Sequence, residues 1–214
     1  MISSVQKNNP SFTSVPIHNV SLQKVTKRPE NGYAKAVFTK LDPLDSGDVV
    51  ALEKIKNGWG HGLGLVTSFW ESFTTDVAAH CQFNAIELNK KTGLDEKIVG
   101  LVKSIFLQDG DKKNLYLWSI ITKPEFGKKN PNRTIKGVGE CMLGEIFNSA
   151  KNAHANNVTF YSDNKGFYKK TFKDAKIKLV NGKNYSPSNC YFVINEKDFD
   201  KYINYCKEKY KINF

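Results

Sequence analysis

The sequence predicts one domain of the α/β class, built on a central mixed (α+β) sheet flanked by helices. Three observations carry that expectation. Segments with period-two alternation or short apolar runs are interspersed with segments of helical spacing. Two of the polar stretches between extended segments, "KTGLD" and "DGDKKN", have the length and glycines of hairpin turns. Further along, a strand, a long loop and a helix precede the next strand, which calls for a crossover connection.

The elements follow in order. Residues 1 to 30, opening "MISSVQKNNPSFTSVPIHNVS", are rich in Ser, Asn and Pro and show no clear period. They read as a flexible N-terminal arm ahead of a single domain over residues 31–214. Tyr33 to Leu41, "YAKAVFTKL", alternates and predicts a strand. Pro43, Asp45 and Ser46 then supply start signals for a helix with Val49, Leu52, Ile55 and Trp59 on one face. "GHGLG" breaks it, and Leu65, Phe69, Phe73 and Val77 set the face of a second helix. Three strands at hairpin spacing come next: Cys81 to Lys90, Lys97 to Gln108 and Leu115 to Pro124. The third is the most apolar and is expected at the centre of the sheet. A helix follows with Val138, Met142, Ile146, Phe147 and Ala150 sharing a face. The chain ends with a short strand (Asn157 to Asp163), a short helix (Lys165 to Ala175), a strand (Cys190 to Ile194) and a basic amphipathic helix, "KDFDKYINYCKEKY", whose charges read as a solvated face.

Composition bounds the function classes. Hydrophobic residues make up 40% of the 214, including 14 Phe and 9 Tyr, which is enough for a packed core and excludes wholesale disorder. Lys and Arg outnumber Asp and Glu by 32 to 21, a net charge of +11. That excess suits a nucleotide cofactor, RNA or a membrane surface, and equally a Lys- and Asn-rich chain with no polyanion partner. Cys81, Cys141, Cys190 and Cys206 form no C-x-x-C pair, so a zinc site is not indicated and no metal is expected. No apolar run approaches the roughly 18 residues of a membrane-spanning helix, and no secretory h-region is visible. A cytoplasmic location is the expectation; a secreted bacterial effector is the alternative, because such proteins can begin with an arm of this kind.

One stretch bears on chemistry: "NRTIKGVGECMLGEIF", Asn132 to Phe147. A basic loop with two glycines opens the helix. Its first N–H groups have no partner inside the helix, the helix dipole adds positive character, and glycine lets an anion come close. From Lys123 to Lys136 there are five basic residues and one acid. The Walker pattern is absent, since no Gly-Lys-Ser/Thr occurs, and the dinucleotide fingerprint fails at Met142. Two readings stand on this stretch alone: an ordinary loop leading into a helix, or an anion cradle.

The wider run "LYLWSIITKPEF…RTIKGVGECMLGEIF" resembles the central motif of the GNAT acyltransferase superfamily. Ile121 to Phe126 is similar to that family's strand end, and Thr134 to Gly139 to its glycine turn. Thr134 stands where Gln or Arg is usual, next to Arg133, and the loop "GKKNPN" is longer than usual. A second segment, "NKGFYKKTFKDAKI", is similar to a later helix of the family at Phe167, Tyr168 and Phe172, with departures at Asn164 and Thr171. The resemblance covers about residues 33 to 195 and implies a GNAT-like acyl-CoA N-acyltransferase fold.

It also implies a chemistry: acyl transfer, acetyl above all, from acetyl-CoA to an amine. On this resemblance the turn, Thr134, Ile135, Lys136, Gly137, Val138, Gly139 and Glu140, binds the cofactor, with the backbone N–H groups of about Lys136 to Glu140 on the pyrophosphate. Lys128, Lys129, Arg133 or Lys136 meets the 3′-phosphate. The strand at Ile120, Ile121 and Thr122 pairs with the pantetheine arm. Tyr168 matches the general acid that protonates the departing thiolate. Glu87, placed by alternation on the opposite face from Ile86 and Leu88, is the candidate base, with His80 a second candidate. Glu53 and Glu71 lie on the helices that wall the acceptor site in that family. The acceptor is left open among a small amine, a protein amine and an aminoacyl-tRNA. A non-catalytic GNAT-like module or effector, using its basic surface to bind RNA or a protein, is the competing function.

Overall fold

In the computed structural model the described residues are 15–25, 32–59, 63–89, 93–162, 164–179 and 190–214. Val20 and Leu22 are buried while Asn19, Ser21 and Gln23 between and beside them are more open. This alternation makes Val15–Lys24 a strand, β1. The flexible arm expected over residues 1 to 30 is therefore corrected for this segment. Only two of its residues are strongly buried, so its period is weak in isolation. Pairing with two neighbouring strands supplies the order. The remainder of the expected arm, residues 1–14 and 26–30, lies outside the described residues.

β2 (Tyr33–Lys40) leads to α1 (Ser46–Gly58), capped as expected: the Asp45 side chain accepts from the Asp48 N–H at 2.9 Å. α2 (Leu63–Phe73) is shorter than expected. The chain bends at Thr74 and Thr75 and continues as a 3₁₀ turn over Asp76–His80. Its buried residues are Val66, Phe69 and Phe73, while Leu65, expected inside, is exposed. β3 (Cys81–Leu88), the single turn α3 (Leu94–Lys97), β4 (Ile98–Asp109) and β5 (Lys112–Thr122) form the predicted meander. Then come β6 (Ile135–Lys136), α4 (Val138–Asn152), β7 (Asn157–Ser162), α5 (Lys165–Asp174), β8 (Cys190–Asn195) and α6 (Phe199–Tyr210).

The strands form one sheet in the order β6-β1-β2-β3-β4-β5-β7-β8. Every pairing is antiparallel except β5 with β7, which the α4 crossover makes parallel. One face is covered by α4, α5 and α6 over a core that includes Met142, Ile146, Phe147, Phe172 and Tyr202. The other face is covered by α1 and α2 around Leu52, Ile55, Phe69, Phe73 and Phe83. Full burial of one such large apolar side chain contributes about 1.5–3 kcal/mol, so the two layers fix the sheet between them. The expectation that the third meander strand is central needs correction: β3 and β4 occupy the middle, and β5 lies beyond them. Its apolar content serves a cleft as well as the core.

Candidate active site

Two irregularities in β5 create the site. Across β4, Lys103 faces Ser119 but Ser104 faces Leu117, so Trp118 is an extra residue, a bulge that bends and twists the strand. On its other side, β5 pairs with β7 only at Asn114, Leu115 and Tyr116. From Phe160 to Ser162, β7 keeps its pairing with β8, while β5 runs on to Thr122 without that neighbour. The two parallel strands thus splay into a V-shaped gap. The edge of β5 from Leu117 to Thr122 borders it with backbone groups that β7 does not take up.

At the mouth of this gap stands the start of α4. Gly137 has φ +96° and ψ −2°, a left-handed conformation that favours glycine. As N-cap it offers no side chain, and no side-chain cap hydrogen bond is present. The first helical bond runs from the Cys141 N–H to the Gly137 carbonyl at 2.9 Å. The N–H groups of Val138, Gly139 and Glu140 therefore have no acceptor within the helix and point out of its positive end. A Cβ on Gly139 would lie 3.3 Å from Phe167 of α5 and 3.8 Å from the Thr122 hydroxyl of β5. This glycine thus keeps the throat of the gap open. The gap and the helix start belong to one cleft of about 630 Å³, a volume suited to a small-molecule ligand.

The long basic loop before α4 is tied down. Pro124–Phe126 forms a 3₁₀ turn with Phe126 buried. The Asn130 amide donates to the Glu125 carbonyl at 3.0 Å, and the Asn132 N–H to the Asn130 side chain at 2.8 Å. The loop then closes through β6, which pairs with Gln23 and Lys24 of β1. Lys128, Arg133 and Lys136 consequently line the cleft, as does Gln23.

No protein-family model matches the chain, and no curated protein matches it in sequence. Solved structures do match. NAA60 of Arabidopsis thaliana, solved with a bisubstrate analogue, is 11% identical with a TM-score of 0.50, over 75% of this chain and 97% of that one. AtaTR, solved with acetyl-CoA, is 9% identical with a TM-score of 0.50, over 77% and 96% of the two chains. A Desulfovibrio desulfuricans protein described as a GNAT-family acetyltransferase is 9% identical with a TM-score of 0.47, over 75% and 99%. The mixed sheet flanked by helices has the GNAT-like fold that the motifs imply, and it is matched by NAA60 and AtaTR over about three quarters of the chain. At these identities the likeness concerns the fold.

Within the GNAT fold the expected residues divide sharply. Ile120, Thr122, Lys128, Arg133, Lys136, Gly137, Val138, Gly139, Glu140 and Tyr168 all line the cleft. Ile121 points the other way and is buried against the α1–α2 layer, as alternation along β5 requires. Ile135 is buried in the main core, and Thr134 and Lys129 are exposed and do not line the cleft. Tyr168 forms one wall, its ring 4.6 Å from Phe160 and 4.9 Å from Phe167.

Glu87 does not reach the cleft. It does lie on the face opposite Ile86 and Leu88, but there it lines a separate depression with Lys35 and Lys97. Its carboxylate accepts from the Thr39 hydroxyl at 2.6 Å. The gap opens between β5 and β7, and β3 is separated from it by β4 and β5. His80, Glu53 and Glu71 are exposed and absent from the cleft lining. Among the described residues Glu140 is the one carboxylate that lines it.

Several lining residues were not expected. Trp118 and Tyr161 flank the gap, and Lys209 and Tyr210 reach it from α6. The bulge at Trp118 becomes visible only when β5 is aligned with β4. Lys209 and Tyr210 carry no signal beyond a basic helix. Beside the cleft, Lys103 is almost fully buried; its ammonium donates to Ser72 at 2.8 Å and sits 4.0 Å over the Trp118 ring. Burial holds its pKa below the usual lysine value, while nearby Cys81 opposes the shift.

Among the described residues no group of three or more His, Cys, Asp or Glu is placed to hold a metal ion. Nor is any helix long and apolar enough to cross a membrane.

Proposed function

We propose that this protein transfers an acyl group, acetyl in the first instance, from coenzyme A to an amine. One observation carries the proposal. The uncapped, left-handed glycine start of α4 stands at the mouth of a gap between splayed parallel strands. A diphosphate ester with a long, amide-bearing arm has the matching chemistry. The free N–H groups of Val138, Gly139 and Glu140 take the diphosphate. Lys128, Arg133 and Lys136 supply charge for a further phosphate. The bordering edge of β5 accepts the amide arm as a strand would be accepted. The donor, when bound, supplies an activated thioester carbonyl.

In this reading Tyr168 gives its phenolic proton to the sulfur that departs as the amine nitrogen bonds to the acyl carbon. Glu140 is engaged elsewhere and Glu87 lies outside the cleft, so the amine proton passes to water in the open end of the gap. In this reading the acceptor enters beside Leu65, Trp118 and Tyr161, which also line the cleft. Two of the matched structures were solved with acetyl-CoA and with a bisubstrate analogue, which supports a donor of this class.

The test is a melting curve with and without acetyl-CoA, for the native chain and for Gly139→Asp. A ligand that binds only the folded state stabilises it by about 2.7 kcal/mol at a hundred times its Kd, so the native chain melts higher with donor. The Gly139→Asp chain carries a carboxylate in the throat, against Phe167 and Thr122, and shows no shift while remaining folded. A native chain unmoved by millimolar acetyl-CoA would remove the donor reading and leave the binding-module function.

A further inference from the structure

The cleft holds an acid where an anion is to bind. Glu140 is the third residue of α4, beside the same N–H groups that would receive a diphosphate. A carboxylate there repels a diphosphate unless its charge is offset. In this chain a single oxygen of Glu140, Oε2, accepts from the Lys209 ammonium at 2.8 Å, from the Tyr205 hydroxyl at 3.0 Å and from the Tyr210 hydroxyl. All three donors come from the last two turns of α6. Lys209 and Tyr210 line the cleft together with Glu140.

Resting on the donor reading above, we propose that Lys209 neutralises Glu140 and thereby keeps the start of α4 receptive to the diphosphate of coenzyme A. The C-terminal helix is then a working part of the donor site, because it sets that site's charge. Burial pushes the Glu140 carboxyl up, but hydrogen bonds from Lys209 and Tyr210 and the Lys209 charge pull harder and leave it below the usual range. The acid is therefore ionised at neutral pH, and its charge needs a partner. Lys209 is suited to this because Glu140, and through it α4, holds its ammonium at the cleft. By contrast Lys201 on the same helix points to Asp198 and is half-exposed.

A purely structural role for the pair, fastening α6 to α4, makes a different forecast, and a charge cycle separates the two. CoA binding is measured by titration calorimetry at fixed ionic strength on the native chain, Lys209→Met, Glu140→Gln and the double variant. Melting curves confirm that each is folded. Neutralisation predicts that Lys209→Met weakens CoA binding about tenfold or more, because a bare carboxylate now faces the diphosphate. Glu140→Gln keeps an oxygen acceptor for the tyrosines and binds CoA a few-fold more tightly. The double variant returns to within about threefold of the native affinity, the signature of a coupled pair.

Unchanged affinity in folded Lys209→Met overturns the proposal, as does a double variant no better than Lys209→Met. Should Lys209→Met not fold, Glu140→Gln decides alone, and CoA binding no tighter than native overturns the proposal. A native chain that does not bind CoA at all removes the donor reading itself, an outcome distinct from any in which the native chain binds and the variants fail to differ.

Discussion

Tyr168→Phe removes one oxygen and leaves the ring among Phe160, Phe167 and Phe192, so packing is kept. In the proposed role of proton donor to the thiolate, the hydroxyl would contribute about 10²-fold in turnover. The variant is expected to lose that in kcat while its acetyl-CoA affinity stays native, measured by thiol release and by calorimetry. Equal turnover would assign the proton to water. Asp48 shows the reverse situation, an acid that a site does not use. It is fully buried, and its Oδ2 accepts from the Asp42 N–H at 2.9 Å while Oδ1 has no hydrogen-bond partner. Burial, aided by the Asp45 and Glu87 charges and opposed by the Asp42 hydrogen bond, pushes its pKa up to about 6. The folded state then holds a proton that the unfolded chain releases near pH 4. Stability from this group is complete below pH 4 and is lost as pH rises through 6. Asp48→Asn should therefore stabilise the protein by about 1 kcal/mol at pH 7.5 and give no gain at pH 4, read from denaturation midpoints at the two pH values. The same crowding of acids explains why Glu87 was misleading. Its alternation was legible, but its neighbours Thr39 and Asp48 come from β2 and α1, and no sequence period reports them.

At the scale of elements, α4 was the most legible and α6 the least. Val138, Met142, Ile146, Phe147 and Ala150 repeat at helical spacing and are all buried. The glycine turn before them is a local signal because its cause, a left-handed backbone, is local. Gly137→Ala tests that cause. It would force alanine into a left-handed conformation and set a Cβ 2.3 Å from the Tyr210 ring. The expected loss is about 2–4 kcal/mol of stability, from strain and overpacking together, measured by denaturant unfolding. A midpoint within error of native would show that α6 yields at this contact. The solvated-face reading of α6 holds for Lys201 and Lys207, but Lys209 turns inward and Tyr202, Ile203, Cys206 and Tyr210 form a buried stripe. Gly144 admits this stripe, since a Cβ there would lie 2.8 Å from the Cys206 sulfur. For β5, apolar content suggested the centre of the sheet. Its composition could not reveal that Trp118, Ser119 and Ile120 line a cleft, because the bulge is a property of two strands in register.

For the whole molecule, the cleft joins distant parts of the chain: Gln23 from β1, Leu65 from α2, the basic loop, α5 and the end of α6. β1 shows what this assembly adds. Its polar composition reads as an arm, yet it pairs along β2 and pins β6, the last segment before the glycine turn. What the sequence by itself determined was what short-range physics sets. The alternating strands and the helical stripes are of this kind, as is a basic loop whose glycines lead into a helix. Those features sufficed for the succession of elements from β2 to α6 along the chain and for naming the glycine turn as a candidate anion cradle. Only the tertiary structure decided which strands splay, which carboxylate faces the cleft and which lysine answers it. Glu140 and Lys209 lie 69 residues apart, and Glu87 is separated from the cleft by the width of β4 and β5. Such relations depend on how layers pack and strands register, and neither leaves a period in the chain.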